Sequence, residues 1–261
     1  MVSVKKLRQP GQFDLEIARV ITCEGISIDL KEAATVMEIE FSEDVGSNAI
    51  LGFIVFHETV GATNVGPLIG QEYLQILINT PSLKGKKSKI DFTENLLHVI
   101  GIPDVKEVNN VTITTMSFTT SEVIHSKRTR VTRPLEGTFS SLTTTLLQKD
   151  LQCKKDLYIE TSIGVKHVIP HDRTPFNMIK EFGRQAISKE NGSPTYYFYE
   201  NIRGFNFRSL ESLFAEGSKF QFAVVEPGAK TGKKPGLSDG KVMDEKLTRD
   251  MAQIIKYNFV Q

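Results

Sequence analysis

TPFNMIKEFGRQAISKENGSPTYYFYENIRGFNFRSLESLF, residues 174–214, reads as a compact unit of helix, hairpin and helix. Thr174 is placed to cap a helix, and Pro175 takes the first helical position, where a missing N–H costs nothing. Phe176, Ile179, Phe182 and Ala186 recur at helical spacing until Asn191-Gly192-Ser193-Pro194 stops the run. Tyr196 to Tyr199 has strand composition, Asn201 to Gly204 is a turn, and Phe205 and Phe207 share one face of the returning strand. Ser209 then starts a short second helix carrying Leu210, Leu213 and Phe214. Alternating aromatics in a hairpin backed by a helix are expected to be core.

Working back from this unit, Phe139, Leu142 and Leu146 repeat at helical spacing, although the run of threonines between them lowers helix propensity. Leu157 to Glu160 and Val165 to Ile169 are strands around Gly164. Lys127, Arg128, Arg130 and Arg133 make a basic, polar stretch that reads as a linker or a protein contact. It marks a boundary, so residues 126–216 are expected to form a mixed α/β domain.

Residues 1–125 read as β. Thr35 to Phe41 alternates most clearly, with Met37, Ile39 and Phe41 on one face and Val36, Glu38 and Glu40 on the other. Further strands are expected at Phe13 to Ile21, Leu51 to Glu58, Glu72 to Asn79, Lys89 to Phe92 and Val111 to Phe118. Short strands at this spacing point to a barrel or sandwich. In residues 217–261 the pattern gives a strand at Phe220 to Val225, a Gly, Lys and Pro loop to Lys241, and an amphipathic or extended piece at Asp244 to Asn258. The fold class is mainly β with α+β.

The 261-residue chain has ample material for a core. Thirty-two basic against thirty-one acidic residues leave a net charge of +1, which argues against a dedicated nucleic-acid module. No apolar run approaches the ~20 residues of a membrane span. The opening MVSVKKLRQPGQFDLE has positive charge without an apolar stretch behind it, so it does not read as a secretory signal. Cys23 and Cys153 allow one disulfide, but two reduced, half-buried thiols fit a protein that works where it is made.

Sites for chemistry are poorly supported. Gly228 to Lys234 lacks the spacing, the hydroxyl residue and the following helix of a phosphate loop, and it runs into Pro235. His167 and His171 flank Pro170 in a β-like run that separates them by roughly 13 Å, too far to share an ion. Glu38, Glu40, Glu43 and Asp44 do not face one another across a cleft as glycosidase carboxylates must. They suit a solvated or subunit-facing strand edge. Lys84, Lys86, Lys87 and Lys89 suit an exposed loop. No catalytic, cofactor-binding or metal-binding residues are assigned, and no cofactor is expected.

The order of motifs resembles one family, the central baseplate hub of T-even-like contractile-tailed bacteriophages, related in plan to the spike base of type VI secretion. The run Tyr197-Phe-Tyr-Glu200, a turn, and Gly204-Phe-Asn-Phe-Arg-Ser-Leu-Glu-Ser-Leu213 carries the resemblance, with Val168-Ile-Pro-His-Asp-Arg-Thr-Pro-Phe176 ahead of it. Upstream lie Glu24-Gly-Ile-Ser-Ile-Asp-Leu30, Ser42-Glu-Asp-Val45, Leu68 to Ile76 leading to Asn79-Thr-Pro81, Ser117 to Glu122, and Gly137 before a helix.

The resemblance implies an N-terminal β-barrel tube domain over 1–125, the mixed domain over 126–216, and in 217–261 the start of a second tube domain, reduced or split. It implies a non-enzymatic structural protein of the virion tail baseplate, assembled in the host bacterial cytoplasm. Its expected partners are itself, as a homotrimer, the tail tube protein, the central spike protein and baseplate wedge proteins. The trimeric ring would join the sixfold tube to the threefold spike, with DNA passing transiently through the lumen during ejection. From the residues alone, a second reading stays open: a glycan- or peptidoglycan-binding or active domain using the aromatic hairpin as its platform.

Overall fold

The computed structural model describes residues 13–58, 68–80, 89–108 and 111–216. Nearly all of these belong to one compact unit, formed by Leu15–Ile78 and Ile90–Ala215. The expected Gly-rich loop at 228–234, the lysine loop at 84–87 and the 217–261 segment lie outside the described residues.

The N-terminal part is a seven-stranded curled sheet in the order β2-β1-β5-β6-β7-β4-β3. Its strands are β1 (Asp14–Ile21), β2 (Ser27–Asp29), β3 (Thr35–Ser42), β4 (Leu51–Glu58), β5 (Tyr73–Asn79), β6 (Lys89–Val108) and β7 (Val111–Thr120), with α1 (Leu30–Ala33) after β2. The mainly β character matches the sequence expectation. Among the described residues no pairing joins the two end strands, so the sheet is a half barrel rather than a closed one.

Alternation decides which side chains face the core. Ile54 and Phe56 of β4 and Met116 and Phe118 of β7 point to one face and are fully buried, with Ala18, Leu74, Ile76, Leu97 and Val99 from the neighbouring strands. Each of these side chains larger than alanine contributes about 1.5–3 kcal/mol by leaving water. Phe118 lies over Gly52, where an added Cβ would come within 2.5 Å of its ring, so this row is packed as an aromatic over a glycine.

Two expectations for this sheet are corrected. In β3 a bulge between Val36 and Glu38 resets the alternation. Val36 therefore joins Ile39 and Phe41 against the core, while Met37 turns outward and is 59% exposed. The strand expected to end at Phe92 runs on to Val108, with register shifts around Gly101 that let it pass Pro103.

The remainder builds a separate core. Its elements are α2 (Ser121–Arg128), β8 (Leu135–Gly137), α3 (Phe139–Thr145) continuing as a π-helical turn (Leu146–Asp150), β9 (Asp156–Ile159), β10 (Lys166–Val168), α4 (Pro175–Gln185), β11 (Tyr196–Asn201), β12 (Gly204–Ser209) and α5 (Leu210–Ala215). β10 pairs with β8, while β11, β12 and β9 form a three-stranded sheet in that order, β12 lying antiparallel to β11 and parallel to β9. Thr144 and Thr145 donate to the carbonyls of Ser140 and Ser141, while the buried Thr143 hydroxyl has no hydrogen-bond partner among the described residues.

The quoted stretch folds largely as read, with two differences. Helix α4 stops at Gln185, because the chain leaves to pair with residues 161–163: Ile163 N–H donates to Ile187 C=O and Lys189 N–H to Thr161 C=O. Thr174 holds the cap position without a side-chain bond, and the Phe176 N–H instead donates to Ser126 Oγ at 3.0 Å. Ser126 lies in α2, so the expected basic linker begins as a helix whose buried face serves α4. Ser209 does start α5, its Oγ accepting from Ser212 N–H at 3.2 Å.

Candidate functional site

Where the curled sheet meets the second core, three charged side chains close a buried knot. On β11 the alternation Tyr196, Phe198, Glu200 puts a glutamate on the buried face. Glu200 Oε2 accepts from Thr120 Oγ1 at 2.6 Å, at the end of β7, and from Ile50 N–H at 3.2 Å, just before β4. Its Oε1 accepts from Lys155 Nζ at 2.6 Å, and the same ammonium donates to Glu122 Oε2 of α2 at 2.6 Å. Lys155 Nζ also lies 5.6 Å from the centre of the Phe205 ring. Three segments of the second core thus hold the roots of β4 and β7.

The electrostatics suit a tie and disfavour catalysis. Desolvation pulls the Lys155 ammonium down, but Glu200 and Glu122 outweigh it and hold the pKa above 10.5, so the group stays charged and is no base. Burial, reinforced by Glu122, raises Glu200 above the ordinary carboxylate range despite the Lys155 cation. The Cys153 thiol lies 3.8 Å from Glu122 Oε1, and burial together with that carboxylate pushes it up to about 12. A thiol so shifted is not a nucleophile at neutral pH. An open cleft of about 170 Å³ beside the knot, lined by Asp91, Asn95, Lys154, Asp156 and Arg203 among others, is polar and mixed in charge.

A second polar node braces the hairpin. Glu160 accepts from Ser188 Oγ at 2.5 Å, Ser209 Oγ at 2.9 Å and Ser209 N–H at 2.6 Å. Desolvation opposes its charge, yet these donors prevail and lower its pKa.

The aromatic hairpin is core, as its pattern indicates. Phe205 and Phe207 are 0% exposed, and Phe198 stacks on Phe205 with ring centres 5.6 Å apart. Phe176 of α4 meets both at an edge, 5.3 and 5.7 Å away. Glu38, Glu40, Glu43 and Asp44 are exposed on or beside edge strand β3, and Glu43 accepts from Ile202 N–H at 2.5 Å. His167 and His171 are exposed; His167 Nδ1 lies 3.7 Å from Glu136 across the β8–β10 pair. Both cysteines are free, with Cys153 half-buried as expected and Cys23 exposed. Among the described residues no group of three or more His, Cys, Asp or Glu is placed to hold a metal ion, and no helix is long and apolar enough to cross a membrane.

Sequence reasoning missed the knot. Glu122, Lys155 and Glu200 are far apart in the chain and form no motif. The available signal was Glu200 in phase with Tyr196 and Phe198: a charge on a buried face needs a partner.

No family model matches this sequence, and no curated protein matches it. Solved structures resemble it in fold. A 43 kDa tail protein of prophage MuSo2 from Shewanella oneidensis matches at TM-score 0.43 and 8% identity, over 74% of this chain and 54% of that one. The tail protein from Neisseria meningitidis MC58 matches at TM-score 0.47 and 9% identity, over 73% and 49%. An Escherichia coli type VI secretion component, described as structurally similar to the T4 bacteriophage tail proteins gp27 and gp5, matches at TM-score 0.42 and 8% identity, over 75% and 48%. The chain spans about half the length of these neighbours. Two of them are described as tail proteins and the third as a type VI secretion component.

Proposed function

We propose that this chain is a structural, non-enzymatic subunit of a phage tail baseplate hub, three copies of which form a ring between the sixfold tail tube and the threefold spike. The tail tube protein, the central spike protein and baseplate wedge proteins are its neighbours in this reading, and DNA crosses the ring during ejection. It is a virion component assembled in the host cytoplasm, with a tube-like domain over 1–125 and a mixed domain over 126–216.

The observation that carries the proposal is the Glu122–Lys155–Glu200 knot. A subunit that transmits load between differently symmetric neighbours needs its parts fixed to one another. Buried charge-assisted bonds between the root of the sheet and the second core provide that, because each has fixed geometry and no water to replace it. Among the described residues β2 and β3 each have one unpaired edge, and in a closed ring every edge finds a partner. The ordered motifs from Glu24 to Leu213 support the identity of the assembly.

Purified tails test it. Mass spectrometry should find the chain in intact particles, and light scattering of the isolated protein should give three times the 29.2 kDa chain mass. A strict monomer that is absent from particles would sink the proposal. In the glycan-platform reading the platform would be Tyr197 and Tyr199, which are only half-buried, because Phe198, Phe205 and Phe207 are packed inside.

A further inference from the structure

The buried knot brings together an amine, a carboxyl group and a second carboxylate able to move protons between them. Lys155 Nζ lies 2.6 Å from Glu200 Oε1 and 2.6 Å from Glu122 Oε2. The Lys155, Glu200 and Glu122 side chains are 8%, 0% and 9% exposed, and the Phe205 ring lies over the nitrogen. A nitrogen hydrogen-bonded to a carboxyl oxygen sits roughly 3–3.5 Å from the carboxyl carbon, which is the separation of a near-attack pair. The two carboxyl groups are not equivalent. Glu200 Oε2 accepts from Thr120 Oγ1 at 2.6 Å and from Ile50 N–H at 3.2 Å, two fixed donors at an oxygen on which negative charge would develop. Glu122 Oε1 faces the Cys153 thiol at 3.8 Å. Glu200 is therefore equipped as the group attacked, and Glu122 as the group that passes protons.

We infer that Lys155 and Glu200 join in an isopeptide bond, with Glu122 relaying the proton. One ammonium proton passes from Nζ to Glu200 Oε1 along the hydrogen bond between them. The freed nitrogen lone pair then attacks Glu200 Cδ, and the carbonyl electron pair moves onto Oε2, held by Thr120 and Ile50. Glu122 takes a second proton from the nitrogen and delivers it to Oε1, which leaves as water while Oε2 becomes the amide oxygen. An ammonium and a carboxylate have become an amide and one water, and Glu122 ends as it began. Burial raises the Glu200 pKa, which favours the acid form that is attacked. Lys155 is held above 10.5, so the free amine is scarce and the bond forms once, slowly, with no turnover. The cleft lined by Lys155 and Glu200 gives the released water a way out. The structure holds the unreacted pair, and the titration of Lys155 belongs to that state. The bond closes the chain from Lys155, just before β9, to Glu200 in β11 into a loop containing α4, and it constrains the unfolded chain as a disulfide does.

The test is the intact mass of the purified full chain, fresh and after incubation at alkaline pH. The wild type should become one water lighter than its sequence, and its tryptic digest should contain a branched peptide joining Lys155 to Glu200. Glu200→Gln should lose one ammonia in place of the water, because the side-chain amide nitrogen is then the leaving group. Glu122→Gln keeps the shape of the knot without a group to take the proton, and should stay at its full sequence mass. A wild type that keeps its full mass after incubation would overturn the inference, whatever the variants do. A branch at Glu122, a link that survives Glu122→Gln, or a water lost equally from Lys155→Met would overturn it too. These readings do not depend on the ring: a linked chain missing from purified tails would sink the hub proposal alone, and an unlinked chain found in them would sink only this inference.

Discussion

Lys155 sits between two carboxylates with its side chain 8% exposed, which makes it the residue whose loss has the sharpest consequence. Lys155→Met would strand Glu122 and Glu200 in the interior, at a cost of about 3–5 kcal/mol, measurable as a lower urea midpoint at pH 7. Glu200, already raised by burial and now without its cation, holds its proton more tightly folded than unfolded. Its stabilisation is therefore whole at low pH and lost as pH rises through the folded value, so the variant should recover stability on acidification. In the wild type the same rule acts at the alkaline end. Cys153 rises from 9.0 to about 12, burial being the first cause, so its stabilisation is complete below pH 9.0 and drains toward 12. Lys155, held above 10.5, adds its own loss beyond that value. The urea midpoint should fall as pH passes 9.0, and Cys153→Ala should make that fall shallower. Gly204 has φ +144°, and a Cβ there would lie 2.0 Å from the Asp156 carbonyl oxygen, so Gly204→Ala should destabilise through both strain and clash. Little at this scale was legible beforehand. Partners as distant as Thr120 and Glu200 share no periodicity, and only the phase of Glu200 with its aromatic neighbours hinted at a buried charge.

At the scale of elements, the α4, β11 and β12 unit rests on its rings. Phe205→Ala or Phe207→Ala should cost about 3–5 kcal/mol, read from thermal or urea unfolding, and fully stable variants would contradict the packing described. This unit was the most legible part of the sequence, because helix period, turn residues and β alternation follow one another without conflict between Pro175 and Ala215. Elsewhere tertiary pairing overrode local pattern. The bulge at Met37 exchanged the faces of Val36 and Met37, since one inserted residue reverses a period of two. β6 is expected only over Lys89 to Phe92, yet it runs on past Gly101 and Pro103, which are accommodated where the register shifts. α2 was read as a linker from its charges; the signal overlooked was Ser126, whose hydroxyl serves another helix.

At the scale of the molecule, a half-barrel sheet and a second α/β core are joined by buried charges, with β3 and β2 at the ends of the sheet. The division into a β-rich and a mixed region could be read from the change of period near residue 120. Closure of the sheet could not, because it depends on edges that local sequence does not pair. The ordered motifs suggested the hub reading before any geometry did, and a subunit in the proposed ring would need stiffness inside and strand edges that its neighbours can pair with. The most direct measurement is a cryo-electron microscopy reconstruction of the tail tip. The account predicts three copies of this chain in a ring, with the tube on one side and the spike on the other. A single copy, another symmetry, or a position away from the tube axis would contradict it.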